Sequence, residues 1–329
     1  MSTLFLFTFA PPQMWLQVVI LVVGIAVVLW GADLLTKGAV GLAERMGIPQ
    51  IVIGLTIVAM GTSMPEFFVS LMSAINGTPD LAVGNIVGSN IFNSLSIVGC
   101  AAMVAPITIL HTTVRKDIPF AMIASITLLM MCLDSHISRL DAAILFAMFI
   151  IFMVFTVRGS KEDTPAAPTA SDAPVAAPMG VGKGVALVVL GLAILILGSN
   201  AFVDNASAIA RSLGVSEAVI GLTIVACGTS LPELATSVVA ARRGNSGIAI
   251  GNVLGSNVFN ILMILGLTGL VSPMAMQGIT QTDLSVMVVS MILLWLFSYT
   301  RYRIERWEGG ALALAFVAYL VWLLMPYLG

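Results

Sequence analysis

Gly61-Thr-Ser-Met-Pro-Glu66 and, 167 residues later, Gly228-Thr-Ser-Leu-Pro-Glu233 decide how this chain is read. Sliding the second stretch over the first aligns Ile51–Gly99 with Ala218–Gly266 without a gap, at 27 of 49 identical positions. Gly54-Leu-Thr-Ile-Val-Ala59 returns as Gly221-Leu-Thr-Ile-Val-Ala226. Gly84-Asn-Ile-Val-Gly-Ser-Asn-Ile-Phe-Asn93 returns as Gly251-Asn-Val-Leu-Gly-Ser-Asn-Val-Phe-Asn260. Polar and small residues match, whereas most apolar ones have drifted. A repeat kept only as scaffolding would show the reverse.

Around these blocks the chain is built for lipid. Of its 329 residues 59% are hydrophobic and 9% charged, against about 25% charged in soluble domains. A net charge of −2 offers no field for nucleic acid. Cys100, Cys132 and Cys227 lie in apolar runs without metal or disulfide spacing. A helix needs about 20 apolar residues to cross a bilayer. Ten candidates lie near 15–37, 50–75, 81–106, 117–133, 141–158, 184–204, 217–241, 247–271, 282–300 and 309–328. The first thirteen residues lack a positive n-region, so the first span reads as uncleaved.

Residues 159–183, with Pro165, Pro168, Pro174 and Pro178, read as a flexible linker between a first half, 1–158, and a second, 184–329. Five spans per half place the second copy upside down. The expected fold is therefore an all-α membrane protein of ten transmembrane helices, two inverted-topology five-helix repeats with broken helices at the centre. Such repeats place a transport site near the midplane, where the halves meet. With both termini outside, twelve Lys and Arg fall inward and only Arg139 and Arg211 outward. The linker is then cytoplasmic and the location a multi-pass plasma (inner) membrane.

Glu66 and Glu233 interrupt apolar spans, and an acidic residue at mid-membrane costs roughly 2.5–3.5 kcal/mol. Pro65 and Pro232 remove the N–H that would bond four residues back, near Gly61 and Gly228. Thr62 and Thr229 lie one turn before the glutamates, with the Ala59 and Ala226 carbonyls near the same stripe. Ser63 and Ser230 complete the Gly-Thr-Ser runs. On the next spans Asn85, Ser89 and Asn93, and again Asn252, Ser256 and Asn260, follow i, i+4, i+8 spacing. Ser89, Ser256, Asn93 and Asn260 read as ligands. Asn85, Asn90, Asn252 and Asn257 read equally well as braces, and the Gly-x-x-x-Gly pairs as packing positions. Oxygen-only donors select hard cations such as Ca2+ or Na+. Two facing glutamates repel by roughly 2 kcal/mol at about 8 Å and a dielectric near 20, so a cation load relieves the site.

These paired motifs resemble the alpha repeats of the calcium/cation antiporter superfamily, most closely its prokaryotic sodium/calcium exchanger branch. The likeness covers both halves. It implies ten helices, alternating access, and exchange of extracellular Na+ for cytosolic Ca2+, with the first and sixth helices sliding across a rigid core. It further implies Glu66 and Glu233 as ligands shared by both ions, completed by Thr62, Thr229, Ser89, Ser256 and the Ala59 and Ala226 carbonyls. Some members carry Asp at the position of Asn260, and one branch associates it with K+ co-transport. Asn260 removes that carboxylate here and weakens the case for K+.

A proton-coupled Ca2+ antiporter is the alternative, since paired glutamates carry protons as well as Na+. No Gly-x-Ser-x-Gly elbow, intramembrane His or Walker motif points to an enzyme or an ATP-driven pump. No cofactor is expected. The partners are inorganic cations and the lipid bilayer, not nucleic acid, and the oligomeric state is not legible.

Overall fold

A computed structural model describes residues 10–159, 179–214, 224, 226–276 and 278–328, with side chains omitted at 159, 226 and 326–328. Among the described residues the protein is all-α apart from four two-residue strands. Among the described residues eight helices are long and apolar enough to cross a membrane, and a ninth span is a bent pair. In chain order these are α1 (Met14–Met46), α2 (Gln50–Thr62), α3 (Met64–Ile75), α4 (Pro79–Val104), α5 (Thr113–Asp134) and α6 (Arg139–Gly159). After the gap come α7 (Val181–Ser212), the single turn α8 (Ala226–Thr229), α9 (Leu231–Arg242), α10 (Ser246–Val271), α11 (Gln281–Arg301) and α12 (Arg306–Leu328). The expected seventh span starts outside the described residues, and most of the expected linker, 160–178, also lies outside them.

Element bounds recur at the sequence offset. Adding 167 to α1, α5 and α6 reaches α7, α11 and α12 to within a residue or two. The strands obey the same rule. β1 (Ile107–Thr108) pairs antiparallel with β4 (Arg303–Ile304), and β2 (His136–Ile137) with β3 (Met274–Ala275). The Ile107↔Ile304 pairing becomes Met274↔Ile137 when each residue is moved by 167 in the appropriate direction. The structural repeat thus runs well past the stretch in which residues still match.

α10 is buried along its whole apolar window and α4 over 78% of its own, against 17–44% for the remaining long helices. The polar stripes are therefore carried by the two innermost helices, and the others present Val22, Phe155, Val189 and Leu314 outward. α1 and α7 run about nine residues past the spans expected from hydropathy. A charge at Lys37 ends the apolar run, but Lys37 Nζ lies 2.7 Å from Asp33 Oδ2 one turn back, which lets the helix continue.

The α1–α7 pair is held by glycines in seven-residue steps. Gly24, Gly31 and Gly38 face Gly198, Gly191 and Gly184, so the helices run antiparallel. A Cβ on Gly191 would stand 2.6 Å from Leu35 N, and one on Gly38 2.8 Å from Gly184 O. Backbones this close leave no room for any side chain at these positions. Lipid tails are as apolar as the helices, so close packing of small residues is what holds such a pair. Gly251 and Gly255 of α10 pack similarly on Gly54, Leu55 and Ala59, the packing role expected of that Gly-x-x-x-Gly pair.

Candidate functional site

The break between α2 and α3 is one residue, Ser63, with a bend of 48°. Ser230, with φ −90° and ψ 10°, makes the matching break between α8 and α9. Pro65 and Pro232 fall in the first turn of the helix that follows, where a missing N–H costs nothing and the fixed φ favours a helix start. Glu66 and Glu233 therefore occupy first turns as well. The helix-terminal dipole there favours negative charge.

The two halves exchange partners at the breaks. Ser230 Oγ donates to Glu66 Oε1 at 2.8 Å, and Ser63 Oγ donates to Glu233 Oε1 at 3.0 Å. Ser89 Oγ lies 3.1 Å from Ser230 Oγ, and Ser256 Oγ reaches Glu233 Oε1 at 3.4 Å. Thr62 and Thr229 hydroxyls approach Glu233 and Glu66 respectively. Both carboxyls are sealed from outside, 0% and 1% exposed, and the second oxygen of each, Oε2, has no partner in the chain. Each carboxylate is thus gripped by one oxygen and offers the other. Two unpaired buried acceptors are costly without a cation or proton to satisfy them.

Behind this shell stand the braces. Asn85 Nδ2 donates to the Glu66 carbonyl at 3.3 Å and to Ser70 Oγ at 3.0 Å. Asn252 Nδ2 does the same to the Glu233 carbonyl, 3.2 Å, and Ser237 Oγ, 3.0 Å. Asn252 Oδ1 accepts from Thr62 Oγ1 at 3.0 Å, with the Val58 carbonyl at 3.1 Å as the alternative acceptor. These two asparagines hold the backbone that carries the glutamates. Ser70 and Ser237 went unremarked in the sequence, although they too recur at the 167-residue offset.

Asn93 and Asn260 sit in wide π-helical turns, Phe92–Ile97 and Phe259–Ile264, a device common at functional sites. Both are 1% exposed. Asn93 Oδ1 and both amide atoms of Asn260 lack partners in the chain. The Ala59 carbonyl accepts from Ser63 N–H at 3.0 Å, so it is not left open by the break. Ala226 opens α8, with its side chain outside the description. Ser89, Ser230 and Glu66 form one hydrogen-bonded group, and Ser63, Ser256 and Glu233 form a second. Thr62 and Thr229 adjoin them. Among the described residues no three His, Cys, Asp or Glu side chains come together, so the donors are two carboxylates among neutral oxygens.

Comparison with known proteins agrees on one family. The profile of the sodium/calcium exchanger protein family matches residues 16–158 and again 183–325. The chain is 36% identical to the putative antiporter CaxA of Alkalimonas amylolytica, over 93% of this chain and 98% of that one. It is 31% identical to the sodium/calcium exchanger MaX1 of Methanosarcina acetivorans, over 92% and 97%. Among solved structures, the sodium-calcium exchanger NCX_Mj soaked with Na+ and Ca2+ superposes with a TM-score of 0.80 at 30% identity, covering 93% of this chain and 98% of that one.

Proposed function

This chain belongs to the sodium/calcium exchanger protein family, and from that premise we propose that it exchanges Na+ for Ca2+ by alternating access at the site between its halves. The observation that carries the reading is the reciprocal grip, each half's glutamate held by the other half's serine with one carboxylate oxygen left unpaired. One Ca2+ or two or more Na+ neutralise the pair of carboxylates. Ser63, Ser230, Thr62, Thr229, Ser89, Ser256, Asn93 and Asn260, with the Ala59 and Ala226 carbonyls, supply neutral oxygens around them. Both ions are substrates, and no resident cofactor takes part.

Ten spans in two inverted halves, 1–158 and 184–329, are part of this proposal. The antiparallel run of α1 against its repeat mate α7 supports inversion, because an upright copy would run parallel. Loop contacts support the alternation of sides, and the Lys and Arg bias favours both termini outside and the linker in the cytoplasm of a plasma-membrane protein. Loops placed on one side are those that meet: Thr108 N donates to Ser246 Oγ, β1 joins β4, and Arg243 pairs with Asp33 on the Arg-rich face. Across the membrane β2 joins β3, and Gly278 N donates to Asp80 at 2.8 Å.

Alternating access draws support from an inequality. α1 packs along α9, whereas its mate α7 forms no comparable contact with α3. Phe68 on α3 is 57% exposed and its mate Ala235 on α9 is 6% exposed. α1 thus covers α9, while α7 leaves α3 uncovered. Sliding α1 and α7 together would exchange the two contacts.

Radioactive Ca2+ flux into proteoliposomes tests the coupling, first under a Na+ gradient and then under a pH gradient alone. Na+-driven flux is the expected result. Flux under the pH gradient alone transfers the proposal to H+ coupling, and flux without any counter-ion gradient overturns exchange.

A further inference from the structure

Asn93 and Asn260 are repeat mates, yet their surroundings differ. Asn93 Nδ2 donates to Asn257 Oδ1 at 3.1 Å. Asn257 Nδ2 in turn donates to Ser94 Oγ at 2.8 Å and faces Met291 Sδ of α11 at 3.3 Å. Ser94 Oγ donates to the same sulfur at 3.1 Å. Asn93, Asn257 and Ser94 are each 0–1% exposed and Met291 0%.

The sulfur sets the direction of the whole chain. A thioether accepts and never donates. Two donors therefore face it, the Ser94 hydroxyl and the Asn257 amine. That places Asn257 Oδ1 towards Asn93, which must answer with its own amine. Asn93 Oδ1 is then the atom left over, buried and unpartnered, one turn from Ser89. Flipping the Asn257 amide would set two acceptors against each other at the sulfur. It would also turn the Asn93 amine, a cation-repelling donor, to where its oxygen now stands.

The mirror half lacks every link. Ile261 stands at the mate position of Ser94 and Ala124 at that of Met291. Asn90, the mate of Asn257, turns its amine to its own helix at Ile86 O, 2.7 Å, and Asn260 is left with neither amide atom bonded in the chain. We propose that Asn257, aligned by Ser94 and Met291, is a positioning residue that locks Asn93 as a fixed oxygen ligand, while Asn260 is an adjustable one. The inference rests on the cation-exchange reading above and adds that two chemically identical ligands are made inequivalent by residues that touch no ion.

The test is equilibrium binding of radioactive Ca2+, and its competition by Na+, on the purified full chain in detergent. Met291→Leu is a volume-conserving swap of the kind cores tolerate. It is expected to weaken Ca2+ binding about three- to tenfold, the worth of roughly one hydrogen bond. Asn257→Leu should weaken it at least as much. In an Asn93→Ala background neither should have a further effect, since each acts through Asn93. The ion-free thermal midpoint read alongside reports damage to the fold. A merely structural role weakens binding equally in both backgrounds, and that result overturns the proposal, as does unchanged binding in both single variants. Wild-type protein that binds neither ion overturns the exchange reading, and this inference with it.

Discussion

Gly191→Ala is the smallest change that tests the seam between α1 and α7. A methyl group there would lie 2.6 Å from Leu35 N, 2.8 Å from Gly31 O and 2.9 Å from Leu35 Cα, against about 3.4 Å for the near edge of ordinary contact. All three are backbone atoms and cannot swing aside, so the helices must part locally by about 0.8 Å. Overpacking of this kind costs about 1–3 kcal/mol. Alanine returns up to about 1 kcal/mol through its helix propensity. With the full return, a net loss of up to about 2 kcal/mol remains. Gly310→Ala, inside α12, is the matched control, because its nearest neighbour is the flexible Met103 Sδ at 4.0 Å. Propensity alone then acts, and the sign reverses. The assay is thermal unfolding of the detergent-purified protein, with the apparent midpoint falling for Gly191→Ala and holding or rising for Gly310→Ala. A rise for both would refute the close approach on which the seam depends.

Glu66→Gln and Glu233→Gln should each abolish Ca2+ exchange in proteoliposomes with the fold intact; flux retained in either variant removes that glutamate from the site. Ser63→Ala should weaken Ca2+ binding about two- to tenfold, one hydrogen bond's worth, and lose this effect in a Glu233→Gln background. Independent effects in the two backgrounds would show that the serine acts elsewhere. Asp33→Asn removes the ion pairs with Arg243 and Lys37, of which only the first joins α1 to the second half, and installs the asparagine found at the repeat mate, Asn200. A partly exposed pair is worth up to about 1 kcal/mol, so occupancy of the form in which α1 covers α9 should fall at most about fivefold. The half-saturating Ca2+ concentration measured from outside should rise in proportion, and an unchanged value would deny the pair any part in holding α1 over α9.

The repeat, the glutamates and their serines are polar identities at a fixed offset, so one chain compared with itself exposes them. Hydropathy also finds the spans, because transfer out of water is a local property. Geometry that depends on partners is less visible. α1 outruns its apolar core because Asp33 neutralises Lys37. The π turns leave no trace in composition. Ser70 and Ser237 match across the offset, but their role shows only in the contacts that Asn85 and Asn252 make with them. The inequality of Asn93 and Asn260 is hardest to see, since it rests on Met291, a residue outside the aligned blocks.

The paired strands have a consequence for how the chain is assembled. β1 has to wait for β4, and β2 for β3, because both partners belong to the later half of the chain. The same is true of the glycine face of α1, and of Glu66, whose serine is Ser230. A ribosome that has delivered only the first half has made two open strand edges, an uncovered seam and a buried acid without its partner. None of these liabilities is relieved step by step. Insertion can proceed helix by helix, but stability has to arrive late and all at once, when the second half meets the first. Truncations anywhere beyond α6 should accordingly be substrates for quality control rather than smaller working proteins.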